Sequence, residues 1–212
     1  MGVCFSCREL LKNASSFLHA SFFTFFSASN DDQNGEETGI SMNARVILDM
    51  ESHGPGVKVD STRLSASGSG SILATTALYQ DRAFFEVSLR SKGTGGRVCC
   101  GVAQRIDSDL MDGHLSDFGN GKAWFYDSDI SVGAGTTTII GVALDQDLAC
   151  LRIFIDGKEI SFDRERRQGK IRGVIYPAIS LSGDVSVALN FSGNFKFPVS
   201  GYDGIIAAMD LV

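Results

Sequence analysis

The sequence predicts an all-β fold, two antiparallel sheets packed face to face, preceded by a tail of different character. Beyond Met42, apolar residues alternate at a period of two along several short runs, the pattern of half-buried strands. Those runs are rich in β-branched and aromatic residues and are bounded by Gly, Asp or Ser, as strands are. Twenty-four glycines against three prolines in 212 residues suit many tight turns better than a helical bundle. No convincing helical pattern of ten residues follows the tail, so the strands must bury their apolar faces against one another.

The elements follow in order. In AFFEVSLR, Phe85, Val87 and Leu89 point one way and Glu86, Ser88 and Arg90 the other. GTGG then reads as a hairpin loop, and RVCCGVAQ as the next strand, with Cys99 and Cys100 on opposite faces. KAWFYDSD carries Trp124, expected as a core aromatic. TTTIIGVALD ends at Asp145 and Asp147, carboxylates that flank a turn. LACLRIFIDGKEI sets Leu151, Ile153 and Ile155 on one face and then reaches Asp156-Gly157, the strongest short hairpin signal. VIYPAISL and DVSVALNF close the series, with Val185, Val187, Leu189 and Phe191 alternating against Ser186, Ala188 and Asn190. The longest stretch without a strand pattern is RIDSDLMDGHLSDFGNG, 105–121, and loops of that length in compact domains tend to be functional or mobile.

Ahead of the strands lies a tail, expected to be partly disordered or helical. Gly2 and Ser6 fit the M-G-x-x-x-[ST] pattern of N-myristoylation, and Cys4 and Cys7 stand where S-palmitoylation is usual. The second lipid matters because one myristoyl chain binds membranes only at about 10⁴ M⁻¹. FLHASFFTFFSA, 17–28, carries five of the 15 phenylalanines. It also fits a secretory signal, or an interfacial helix with Leu11, Ala14, Leu18, Phe22 and Phe25 near helical spacing. NDDQNGEET, 30–38, has four acidic residues and no apolar one, a solvated linker. The expected organisation is therefore a membrane-associating tail (1–29), an acidic linker (30–44), the sandwich (45–200) and a C-terminal extension (201–212).

A net charge of −6 argues against a nucleic-acid partner, which calls for a basic face. No run of 18 apolar residues occurs, so no transmembrane helix is expected. RERRQGKIR, 164–172, is the one basic cluster; it reads as a solvated loop, or as a second contact with an anionic leaflet.

Signals for catalysis and for metals fail in turn. Asp117-Phe118-Gly119 spells a kinase motif without its glycine-rich loop or its strand lysine. Asp107, Asp109 and Asp112 imitate a calcium loop, but Phe118 stands near where the terminal Glu is needed. His114 has no spacing that pairs it with Cys99 or Cys100 as a nucleophile. Cys4 and Cys7 form a C-x-x-C with no second pair at zinc spacing. The expectation is no enzyme, no cofactor and no metal.

In order, FFEVSL, CCGVAQ, AWFYDSD, IIGVALD, LRIFIDGK and VIYPAISLSGDVSVALNF resemble the strand motifs of SPRY domains over about residues 46–198. Asp156 stands where that family commonly has Asn. The resemblance implies a concanavalin-like sandwich with solvated outer faces that binds a protein or short peptide through rim loops, without catalysis. By position those loops are 61–66, 107–114 and 182–184. Leu110, Met111 and His114 are then expected as anchors, Arg63 as a partner for an acidic side chain, and Ser182, Gly183 and Asp184 as further contacts. Together these expectations describe a monomeric adaptor held at the cytoplasmic face of a membrane by its acyl chains, with a cytosolic pool. The alternatives are a secreted lectin-like sandwich, with a glycan at the sequon Asn190-Phe191-Ser192, and a cryptic hydrolase.

Overall fold

The computed structural model describes residues 45–118, 121–130, 137–160 and 170–207. Gly2, Cys4, Cys7, the Phe-rich patch, the acidic linker and residues 164–169 of the basic cluster lie outside the described residues. Among the described residues no helix is long and apolar enough to cross a membrane.

Eleven strands occur among the described residues: β1 Leu48–His53, β2 Val57–Val59, β3 Ser65–Gly68, β4 Gly70–Ala74, β5 Arg82–Ala103, β6 Ala123–Ile130, β7 Thr137–Asp145, β8 Cys150–Ile155, β9 Lys158–Ile160, β10 Tyr176–Asn190 and β11 Asp203–Gly204. Two short 3-10 turns, Ser108–Leu110 and Leu115–Phe118, stand between β5 and β6. All pairings are antiparallel except that of β11, which runs parallel to the start of β5.

The two layers share their longest strands. β5 has 22 residues and β10 has 15. In its first half, β5 lies between β7 and the second half of β10. In its second half, it lies between β6 and the first half of β10. One layer therefore runs β2–β3–β10–β5–β7–β8–β9 and the other β1–β4–β10–β5–β6. This corrects the expectation of a hairpin loop at GTGG. The glycines sit inside one continuous strand, at its bend. Opposite them the ladder shifts register between Gly183 and Val185, and Gly183 takes φ 81°, a conformation that costs glycine little. A strand that bends through a bulge can pass from one layer to the next without reversing.

The alternating sets fill the space between the layers as their period requires. Phe85, Val87 and Leu89 lie beside Val185, Val187, Leu189 and Phe191 of the neighbouring strand in one core that also takes Ile72, Val102, Trp124, Ile140 and Ile153. Asp156 at φ 48° and Gly157 at φ 79° make the tight β8–β9 hairpin that their residue types call for.

The outer faces depart from expectation, because each is partly covered. On the first layer, Phe84 and Phe154 are buried beneath Phe195, Val199 and Tyr202 of the C-terminal segment, with Phe84 and Phe195 edge to face at 4.8 Å. Glu86 points outward as its parity demands, yet it is buried. Its carboxylate accepts the backbone N–H groups of Lys196 at 2.9 Å and Phe197 at 2.7 Å. That satisfies a buried charge whose desolvation would otherwise be expensive.

Candidate functional site

The outer face of the second layer is covered by the long segment that joins β5 to β6. Gln104 N–H donates to Lys122 O at 2.8 Å and closes its base. Met111, Leu115 and Phe118 point down from it and are buried with Leu73, Cys99, Ala103, Ala123, Phe125 and Ala178. Burial of these side chains supplies the attraction, and polar contacts set the position. Ser71 N–H donates to Met111 O at 2.7 Å and its hydroxyl donates to Gly113 O at 2.8 Å. Leu115 N–H donates to the Ser180 hydroxyl at 3.3 Å. Arg105 reaches Asp49 at 2.7 Å and lies over the Tyr176 ring at 4.9 Å. Gly54 allows the backbones to approach, since a Cβ there would overlap the Met111 carbonyl.

Within this face three side chains of different chemistry converge. Cys99 and Asp127 are register partners on β5 and β6. His114 Nδ1 lies 3.3 Å from Cys99 Sγ and 3.4 Å from the Ser116 hydroxyl. His114 N–H donates to the Asp117 carboxylate at 2.9 Å. The ligand-bearing atoms of Cys99, His114 and Asp127 all lie within 4.8 Å of one another. Arg97 grips Asp127 from the solvent side, Nε donating to one oxygen at 2.8 Å and Nη2 to the other. That bond holds the Asp127 carboxyl below the usual carboxylate range. Burial, reinforced by the Asp127 charge, pushes the Cys99 thiol far above its ordinary value. A thiol kept protonated is a poor nucleophile, so proximity to His114 does not by itself make a catalytic pair. Burial alone raises Cys100, which faces the inter-layer core.

The expected site residues are distributed unevenly. Leu110 is 40% exposed on the crest of the segment, whereas Met111 beside it is 1% exposed. Met111 therefore supports the segment from beneath and offers no surface to a partner. Ser182 continues the outward face of Ser180 and pairs with Arg97, while Gly183 pairs with Gly96 at the bend. Gly183 and Asp184 are exposed. Arg63 lies elsewhere. It takes φ 57°, its Nε donates to Leu48 O at 2.9 Å, and its carbonyl accepts Leu48 N–H at 2.8 Å. Met111 approaches Gly54, just beyond the far end of β1. β1 bulges between these points, Leu48 pairing with Ala74 and Gly54 N–H donating to Ser71 O, so about three residues of β4, roughly 10 Å, separate the two contacts.

Asp107, Asp109 and Asp112 do not form the metal-capable trio found among the described residues. Asp117 and Phe118 belong to a turn, Phe118 in the covered cluster and Asp117 accepting from His114. Sequence reasoning missed Arg97, Asp127, Ser116 and Ser180. Strand parity could have placed Cys99 on the outer face with Arg97, but no local spacing points from either to His114.

No family model matches the chain. Among solved structures it is similar to a TRIM65 PSpry domain at 11% identity, covering 68% of this chain and 91% of that one with a TM-score of 0.48. It is also similar to the SPRY domain of human HERC1 at 16% identity, covering 67% and 96% with a TM-score of 0.46. A stonustoxin structure aligns at 17% identity over 68% of this chain with a TM-score of 0.47. The match spans only 27% of that toxin chain.

Proposed function

We propose that the chain is a non-catalytic protein-interaction adaptor of the SPRY type, held at the cytoplasmic face of a membrane by acylation at Gly2, Cys4 and Cys7. The order of its strand motifs and its cysteine-rich start resemble those of SPRY-domain-containing protein 7. The observation that carries the binding proposal is the segment between β5 and β6. Met111, Leu115 and Phe118 pin it from beneath while Leu110 stays exposed on its crest. A loop already ordered on a scaffold loses less entropy on capturing a partner. Leu110, His114, Ser182, Gly183 and Asp184 are the contacts this reading assigns; Arg63 and Met111 serve the scaffold.

Two observations favour this over a secreted lectin. The Asn190 amide, where a glycan would attach, donates to Gly193 O at 3.0 Å and Asn194 O at 3.3 Å inside a turn. Cys99, Cys100 and Cys150 are free thiols, a pattern suited to a reducing compartment.

Leu110→Asp is expected to abolish capture of cellular partners in affinity purification while changing stability by no more than about 0.5 kcal/mol, as an exposed position allows. Undiminished capture moves the binding surface elsewhere. Gly2→Ala is expected to shift the protein from the membrane fraction to the soluble fraction. A native N-terminus that mass spectrometry finds to start near Asn30 sinks the tether.

A further inference from the structure

We propose that Cys99, His114 and Asp127 form a binding site for a zinc-class divalent ion, which fastens the segment between β5 and β6 to the sheet beneath it. This inference does not depend on the adaptor reading, and it sets aside the sequence-based expectation of no metal.

The separation of the donors is the first argument. With Zn–S of about 2.3 Å and Zn–N of about 2.0 Å, two ligands on one tetrahedral ion stand about 3.5 Å apart. Cys99 Sγ and His114 Nδ1 are 3.3 Å apart. Asp127 completes the trio, all three donor atoms lying within 4.8 Å of one another, so a small inward movement of the carboxylate brings it into range. Its position is constrained, because cross-strand partners such as Cys99 and Asp127 hold their Cβ atoms about 5 Å apart.

The donor chemistry is the second argument. One sulfur, one imidazole nitrogen and one carboxylate oxygen suit zinc and cobalt, whereas calcium and magnesium take oxygen alone. Burial grades from Cys99, which is buried, through half-buried His114 to exposed Asp127, giving an ion a route in from the Asp127 side. On binding, the Cys99 S–H bond breaks, its proton passes to solvent and a sulfur–metal bond forms. Thiolate and carboxylate then neutralise the two positive charges, and His114 stays neutral. Three protein ligands leave one tetrahedral position for water.

Outer contacts of the kind that orient metal ligands are present. Arg97 orients the Asp127 carboxylate. Asp117 holds the backbone of His114 at 2.9 Å. Because His114 belongs to the segment and the other two ligands to the sheet, an ion here joins the two directly.

The test is titration of the full chain with Co²⁺, as a spectroscopic substitute for zinc. Cys4→Ser and Cys7→Ser are introduced first, because the N-terminal C-x-x-C is itself a possible chelator. The expected result is a near-ultraviolet thiolate-to-cobalt charge-transfer band with the visible bands of a four-coordinate ion, displaced by equimolar Zn²⁺. Cys99→Ser should remove the charge-transfer band, and His114→Ala and Asp127→Asn should each weaken binding at least tenfold. Cys99 is buried, so its variant can lose the fold; His114 is half-buried and Asp127 exposed, and circular dichroism checks that their variants remain folded. Absence of the charge-transfer band, its persistence in Cys99→Ser, or unaltered affinity in folded His114→Ala overturns the proposal.

Discussion

Replacing Trp124 by Ala is expected to cost about 3–5 kcal/mol of unfolding free energy, the range for removing a fully buried large aromatic. Trp124 is the chain's single tryptophan and its side chain is 0% exposed. It sits on β6 opposite Val102 of β5 and projects into the core between the layers. Close-packed neighbours relax only partly into the space a lost indole leaves. Since each kcal/mol shifts the melting temperature by about 2–4 °C in a domain of this size, the variant should melt roughly 10 °C lower. Thermal unfolding followed by circular dichroism measures this without depending on the missing fluorophore. Trp124→Phe should keep most of the stability, because it retains an aromatic filling. A loss under about 1 kcal/mol in Trp124→Ala would contradict the burial described above.

Gly101→Ala is expected to be at least as damaging as ordinary overpacking, which costs about 1–3 kcal/mol and occasionally more. The position is central, pairing with Ala178 of β10 on one side and Phe125 of β6 on the other. A Cβ there would overlap the Trp124 carbonyl oxygen and stand 2.5 Å from Phe125 Cα. These are backbone atoms, so relief requires strands to separate rather than a side chain to rotate. Gly193→Ala is the matching control. Gly193 has φ 67° and nothing within 4 Å of an added Cβ, so its substitution tests conformational strain alone, about 1 kcal/mol. Urea unfolding of the two variants should separate the effects. Equal losses would mean that β6 does not approach β5 as closely as described.

Both predictions rest on residues whose burial was legible to different degrees. Trp124 could be assigned to the core from its place in an aromatic strand run, and Val185, Val187, Leu189 and Phe191 from simple alternation. The Asp156-Gly157 hairpin was equally plain, because a two-residue turn with positive φ at both positions restricts residue type severely. Gly101 carried no such mark. Its requirement comes from Trp124 and Phe125, more than twenty positions along the chain. The glycines of GTGG were misread for a related reason. A glycine cluster permits both reversal and bending, and the pairing of β5 with β10 along both layers selects bending.

Solvated outer faces were the largest misreading. Alternation assigns Phe84, Glu86 and Cys99 to the side away from the core. It carries no information on whether a distant loop later covers that side. Residues 195–197 cover Phe84 and Glu86, and residues 111–118 cover Cys99. Convergence of Cys99, His114 and Asp127 depends on the same covering, since 15 residues separate the first two with no repeating spacing between them.

By itself the sequence determined the secondary-structure class, the inward-facing sets of β8, of the first half of β5 and of the second half of β10, and the tight hairpin, because side-chain alternation and turn geometry are local properties of the chain. Only the tertiary structure decided that two long strands serve both layers, that the outer faces acquire small cores of their own, and which side chains meet beneath the segment before β6. Those outcomes depend on contacts between residues far apart in the chain, and a contact of that kind leaves no periodic trace at either end.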